Sequence, residues 1–122
     1  MAEGPGVSAQ AAAKRRGSQF ELDALRHIRA LGFPAERLRL AGKDDEGDLA
    51  VDDAGFTYVL EAKAEKRMAL AEYVKEAQIE AANYAKARGK DPSAVWGLAL
   101  IKRPGRPIGE SYVVTTLDDL LA

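Results

Sequence analysis

Ala94 to Ile101 reads Ala-Val-Trp-Gly-Leu-Ala-Leu-Ile, an almost unbroken apolar run closed by turn residues on each side. Its length and its flanking turns predict a central strand buried on both faces, the kind found where helices cover a sheet from above and below. A helical pattern precedes it from about Ala69 to Ala87, with Leu70, Tyr73, Val74, Ala77, Ala81, Tyr84 and Ala85 on one stripe and Gly89 closing it. Phe56 to Lys63 reads as the strand before that helix. A long helix between two strands predicts a right-handed crossover joining parallel neighbours.

The rest of the chain adds elements to that unit. Met1 to about Ala13 is Gly, Ala, Ser and Pro with little to bury, and reads as a disordered tail, leaving 14–122 as one domain. Ser18 to Leu31 reads as a helix whose apolar face is Phe20, Ala24, Leu25, Ile28 and Leu31, stopped by Gly32 and Pro34. Arg37 to Leu40 is a short strand candidate, Ala41 to Glu46 a charged turn, and Gly47 to Val51 a second strand. Asp52-Asp53-Ala54-Gly55 has hairpin chemistry and predicts antiparallel pairing with Phe56 to Lys63. After the apolar run come a basic loop at Lys102 to Gly109, a strand at Ser111 to Thr115, and a short helix at Leu117 to Leu121 capped by Thr116. The predicted order is α-β-β-β-α-β-β-α, a mixed α/β sheet flanked by helices.

Composition narrows the chemistry. The 122-residue chain has no cysteine and a single histidine, His27, so neither a cysteine-based zinc site nor a multi-histidine metal site within one chain is open to it. A metal here must be oxygen-bound, which favours magnesium or manganese. The formal net charge is −1, so any nucleic-acid contact must come from local basic groups. No apolar run is long enough to span a bilayer, and the start lacks a signal-peptide pattern, so a cytoplasmic location is expected.

Against that background two short motifs stand out. Gly47-Asp48-Leu49 places an acid beside one apolar run, and Glu61-Ala62-Lys63 places an acid and a lysine two apart in the next. Alternate strand residues share a face, so Glu61 and Lys63 point the same way and Ala62 the other. Two converging carboxylates beside an ammonium suit a hard divalent cation and an activated water, the equipment of a phosphodiester hydrolase. The plain alternative is a same-face ion pair on a solvated strand, worth little. Glu21 is a third point of interest, because it lies inside the apolar stripe of the first helix, where an unpaired charge is costly. Ser18-Gln19-Phe20-Glu21 also spells an S-x-x-E capping box, so the pattern alone leaves Glu21 open between a site residue and a cap.

The ordered set resembles the PD-(D/E)xK nuclease superfamily, with Asp48 as the first acid and Glu61-Ala62-Lys63 as the E-x-K element. Gly17-Ser18-Gln19-Phe20-Glu21 is similar to the G-x-x-x-E of its Holliday junction resolvase branch, of archaeal and phage type, and the likeness runs from Lys14 to Tyr84. The resemblance implies a restriction-endonuclease-like core, a homodimer, and an active site of Glu21, Asp48, Glu61 and Lys63. It tips Glu21 toward the site. Asp48, Glu61 and the Ala62 carbonyl would hold Mg²⁺, for which Mn²⁺ can substitute, with Glu21 nearby directly or through water. Lys63 would orient the attacking water and stabilise charge building on the phosphate. Two departures are visible: Gly47 stands where the superfamily name has proline, and Ala41-Gly42-Lys43 lacks a serine that some members place there.

The expected substrate is four-way or other branched DNA. Lys14, Arg15, Arg16, Lys43, Lys66 and Arg67 flank the motifs and are the candidate phosphate contacts, with Lys102, Arg103 and Arg106 as a further basic group. Gln78 is a possible accessory residue, although it and Tyr84 are six apart and do not make the Q-x-x-x-Y of exonuclease-type relatives. His27 reads as a surface or boundary residue and Trp96 as core. Ile79, alone on the polar face of the second helix, is the candidate contact of a dimer. The alternatives are another nuclease of the same fold (repair, restriction-like or exonuclease) and a DNA-binding module without catalysis.

Overall fold

The computed structural model describes residues 8–38 and 46–121. Three helices, α1 (Ala9–Ala30), α2 (Leu70–Ala87) and α3 (Leu117–Leu121), accompany five strands: β1 (Ala35–Arg37), β2 (Leu49–Asp53), β3 (Phe56–Lys63), β4 (Val95–Ile101) and β5 (Tyr112–Val114). The strands form one sheet in the order β1-β2-β3-β4-β5. β3 and β4 run parallel across the α2 crossover, and every other pair is antiparallel. This is the mixed α/β sheet and the element order expected from the sequence.

Strand alternation sorts the core into two layers. Leu49, Val51, Leu60 and Leu100 meet Phe20, Ala24 and Leu25 of α1 on one face. Ala50, Val59 and Val95 meet Ala81, Tyr84 and Ala85 of α2 on the other, where Ala99 and Ile101 also pack on Tyr73 and Val74. α2 lies so close to β4 that a Cβ on Gly97 would stand 2.1 Å from the Ala77 carbonyl oxygen. The β2–β3 hairpin turns through Ala54 and Gly55, both at positive φ (49° and 95°), the twist a two-residue hairpin favours.

Several expectations need correction. Helix α1 begins at Ala9, so residues 9–13 are helical, not tail, and Lys14, Arg15 and Arg16 ride on the helix. Ser8 caps it by accepting the Ala11 N–H at 3.0 Å, and the alanines that follow are the strongest helix formers. A helix interior needs no cap at Ser18, so the capping-box reading of Glu21 falls. β1 starts at Ala35, where antiparallel register with Val51 buries one side of it against α1. Leu31 and Leu70 are exposed, because each lies past the end of the surface its helix covers. β4 is buried fully only on its α2 face; on the other, Leu100 is buried against α1 while Trp96 and Leu98 are half-buried, since α1 covers β1 to β3 and reaches only the end of β4. Ala41 to Asp45, with Lys43, lies outside the described residues.

Candidate active site

The β2–β3 register sets the geometry. Leu49 is opposite Leu60, so Asp48, one residue before β2, comes opposite Glu61. Its backbone N–H donates to the Leu60 carbonyl at 3.0 Å, and its side-chain Oδ2 accepts the Ala62 N–H at 2.7 Å. The carboxylate is thereby pinned to β3 at both ends. The N–H and C=O of a strand residue project toward the same neighbour, so the Ala62 carbonyl faces the gap that Asp48 occupies.

Glu61 points to the α2 face and is 7% exposed. There it shares hydrogen bonds with Asp48 and with Glu80 of α2. Glu61, Glu76 and Glu80 each offer an oxygen within 4.8 Å of the others. Burial, the two hydrogen bonds and the charges of Asp48 and Glu80 push the Glu61 carboxyl up to about 12. Without a cation this group holds a proton. The donors are all oxygens, which is the set a hard divalent ion takes.

Lys63 lies one turn of the pleat beyond Glu61, on the same face. Its Nζ is 3.0 Å from Glu76 and 5.1 Å from the centre of the Tyr73 ring. Burial alone would lower its pKa; the Glu76 hydrogen bond and the charges of Glu61, Glu76 and Glu65 outweigh burial and raise it. The amine is therefore a firm cation beside the acids.

Glu21 approaches from α1. Burial and the Asp48 charge raise its pKa, and the Arg37 guanidinium opposes them. Arg37 Nε donates to Glu21 at 3.2 Å while its Nη2 donates to the Ser18 hydroxyl at 3.0 Å. The S-x-x-E pair is thus the two-point seat of an arginine from β1. Arg37, Lys14, Arg15 and Ser18 line one open groove along α1. Arg16 is exposed on the same helix, and Lys66 and Arg67 are exposed just after β3. The Lys102 N–H donates to the Lys63 carbonyl at 2.9 Å, which brings the basic loop after β4 to the same end of the sheet.

Of the residues marked by sequence, Asp48, Glu61 and Lys63 converge and Glu21 borders them. Gln78 does not join them: its amide donates to Asp119 of α3 at 2.8 Å. On a helix it projects nearly opposite to Glu76 and Glu80. Three residues escaped the sequence reading: Glu76, Glu80 and Arg37. Glu80 carried the same signal as Glu21, an acid three residues from Ala77 and four from Tyr84 within an apolar stripe. Glu80 and Tyr84 also have the four-residue spacing that Gln78 and Tyr84 lack, with glutamate in the glutamine position.

Gly47 explains one departure from the superfamily pattern. Its φ is +98°, and a Cβ there would stand 2.6 Å from Val59 Cγ1 and 3.3 Å from Glu80 Oε2. Proline, fixed near −65°, is excluded by the backbone as well as by space.

No protein-family model and no curated protein matches this chain. Among solved structures it is similar to Hjc, a Holliday junction resolvase from the archaeal hyperthermophile Archaeoglobus fulgidus. The TM-score is 0.50 at 20% identity, over 77% of this chain and 74% of that one. The fold is that of a Holliday junction resolvase. The resolvase-like sheet carries Asp48, Glu61 and Lys63 at the end of the β2–β3 hairpin, where the two strands meet α2. Among the described residues no helix is long and apolar enough to cross a membrane.

Proposed function

We propose that this chain is a divalent-cation-dependent DNA nuclease, and in particular a Holliday junction resolvase acting as a homodimer. The observation that carries the reading is the Asp48 carboxylate held at 2.7 Å by the Ala62 N–H, which sets it against Glu61 with Lys63 on the same face. The likeness to Hjc supports it.

Asp48, Glu61 and the Ala62 carbonyl would hold Mg²⁺ or Mn²⁺, with Glu21 bound directly or through water. Such an ion supplies Lewis acidity toward a phosphate oxygen and lowers the pKa of water. The protein's own part is positional. Asp48 and Glu61 set the anionic frame, and Glu80 and Glu76 back it from α2. Lys63 orients the incoming water and offsets negative charge on the phosphorus oxygens as the P–O bond to the leaving oxygen breaks. Lys14, Arg15 and Arg37 line the approach, with Arg16, Lys66 and Arg67 nearby, and bind backbone phosphates. Because no base reading is needed, cutting follows DNA shape.

The test is cleavage of four-way junctions against linear and flap DNA across a magnesium titration. Magnesium-dependent junction cutting that is lost in Asp48→Asn supports the proposal. Equal cutting of linear DNA would remove the resolvase assignment and leave a nuclease. Tight junction binding with no cutting at any magnesium or manganese concentration would leave a binding module.

A further inference from the structure

The basic loop after β4 holds an aromatic ring. From Lys102 to Tyr112 the chain has three cations and one acid, Glu110. Arg103-Pro104-Gly105-Arg106 is a tight turn. The Arg106 N–H donates to the Arg103 carbonyl at 3.1 Å, and Gly105 sits at φ +75°, as a type II turn needs at its third residue. The Arg103 guanidinium lies over the Tyr112 ring, 4.6 Å from its centre. Glu110 steadies it from the side, with an oxygen 3.4 Å from Arg103 and 4.0 Å from Arg106. With Arg103 in place, Tyr112 is still 50% exposed.

Register puts this ring in line with the proposed site. Lys63 is beside Ile101 in the parallel β3–β4 pair, and Ile101 is beside Tyr112 in the antiparallel β4–β5 pair. Residues paired across strands share a face, and Ile101 packs against Tyr73 and Val74 of α2. Lys63 and Tyr112 therefore stand on the α2 face at one height, two strand spacings or about 10 Å apart. The Lys102 N–H, bonded to the Lys63 carbonyl at 2.9 Å, ties the turn to that end of the sheet. We infer that Tyr112, braced by Arg103, is a stacking seat for a nucleobase exposed by a break in the DNA stack, on the strand whose phosphate lies at Lys63.

The chemistry selects that ligand. An arginine on a tyrosine is by itself an ordinary surface pair. Here the ring keeps open area, cations outnumber the acid around it, and a proposed phosphate site lies in the same row. A polyanion that carries planar groups matches all three. In an intact duplex both faces of a base are covered by its neighbours, so a protein ring can stack only where the stack is broken, at a branch point or in a single strand. Every base has a π-face, so such a seat reads the form of the DNA and not its sequence. That gives cutting by shape a physical cause.

The seat rests on the DNA-nuclease reading for its ligand, and binding measured in EDTA separates the two. Tyr112→Ala should weaken binding of a splayed-arm DNA roughly 10-fold, and of the matching full duplex by less than about twofold. Tyr112→Trp should bind the splayed DNA as the wild type does. An abasic site walked along the single-stranded arms should, at one position, weaken wild-type binding by the same factor and leave Tyr112→Ala unchanged. Equal weakening on splayed and duplex DNA, no weakening on either, or no such abasic position would each overturn the inference and leave the nuclease reading standing. A seat that meets these tests in a protein that cuts nothing with Mg²⁺ or Mn²⁺ would sink only the nuclease reading.

Discussion

The two faces of the β-sheet solve opposite problems. The α2 face is closely covered along β3 and β4, yet it encloses acids: Glu61 and Glu80 are buried there, and Glu61 lies beside both Asp48 and Glu80. The α1 face is apolar, yet half of it is bare, with Trp96 and Leu98 only half-buried and Val113 exposed. One face buries what water would prefer to keep, and the other leaves out what water would prefer to expel. Both are costs to the isolated chain.

The largest test of this contrast is functional. Glu61→Gln should reduce cleavage at least ~10³-fold, about 4 kcal/mol of transition-state stabilisation, while junction binding holds or tightens because a charge opposing phosphate is removed. Leu121→Glu on the other face, where the leucine is exposed, should keep single-nick cleavage. Nick-counting on a cruciform plasmid separates the two. Equal loss of nicking in both variants would erase the distinction between the faces.

Next in size is packing. Gly97→Ala drives a methyl to 2.1 Å from the Ala77 carbonyl oxygen and should cost about 3 kcal/mol, read by urea unfolding. An unchanged midpoint would mean that α2 is not held tightly on β4.

Acid should then stabilise the cation-free protein. The Glu61 carboxyl is raised from 4.5 to about 12 in the folded chain. Between those values the native state binds more protons than the unfolded one, so stability falls as pH rises. Melting temperature without metal should drop from pH 5.5 to pH 8.5, and saturating Mg²⁺ should flatten the slope by replacing the proton. Glu61→Gln should remove the slope with or without the ion. A wild-type slope unaffected by Mg²⁺ would separate the acids from any cation.

The smallest effect is at Gly17, inside α1 with nothing within 4 Å of a Cβ. Gly17→Ala should stabilise by about 1 kcal/mol, measured by thermal melting. A loss instead would show that the helix makes close contact at that position.

Much of this was legible in the sequence, and what escaped has physical causes. The β2–β3 hairpin, the crossover and the convergence of Asp48 with Glu61 followed from period-2 alternation and turn residues, which are local signals. The start of α1 did not, because an alanine run with one serine cap resembles a low-complexity tail unless the cap is weighed. Arg37 was invisible as a partner of Glu21, since the two are sixteen residues apart and meet only once β1 has folded back on α1. Glu80 was readable as an acid in an apolar stripe, whereas Gln78, at the edge of that stripe, turns its side chain to α3. The bare half of the α1 face could not be read at all. A continuous apolar run says that a strand wants cover, not whether its own chain provides it.

Helix α2 has a further consequence. On one side it presents Glu76 and Glu80; on the other, at the same height, Gln78 holds Asp119 of α3. The two sides are one helix diameter apart, about 10 Å, with no hinge between them. Any shift of α2 that dimerisation causes is also a shift of the carboxylates. Association and ion binding then share a single coupling free energy. Reciprocity requires that whatever factor Mg²⁺ applies to the dimer constant, dimerisation applies to the affinity for Mg²⁺.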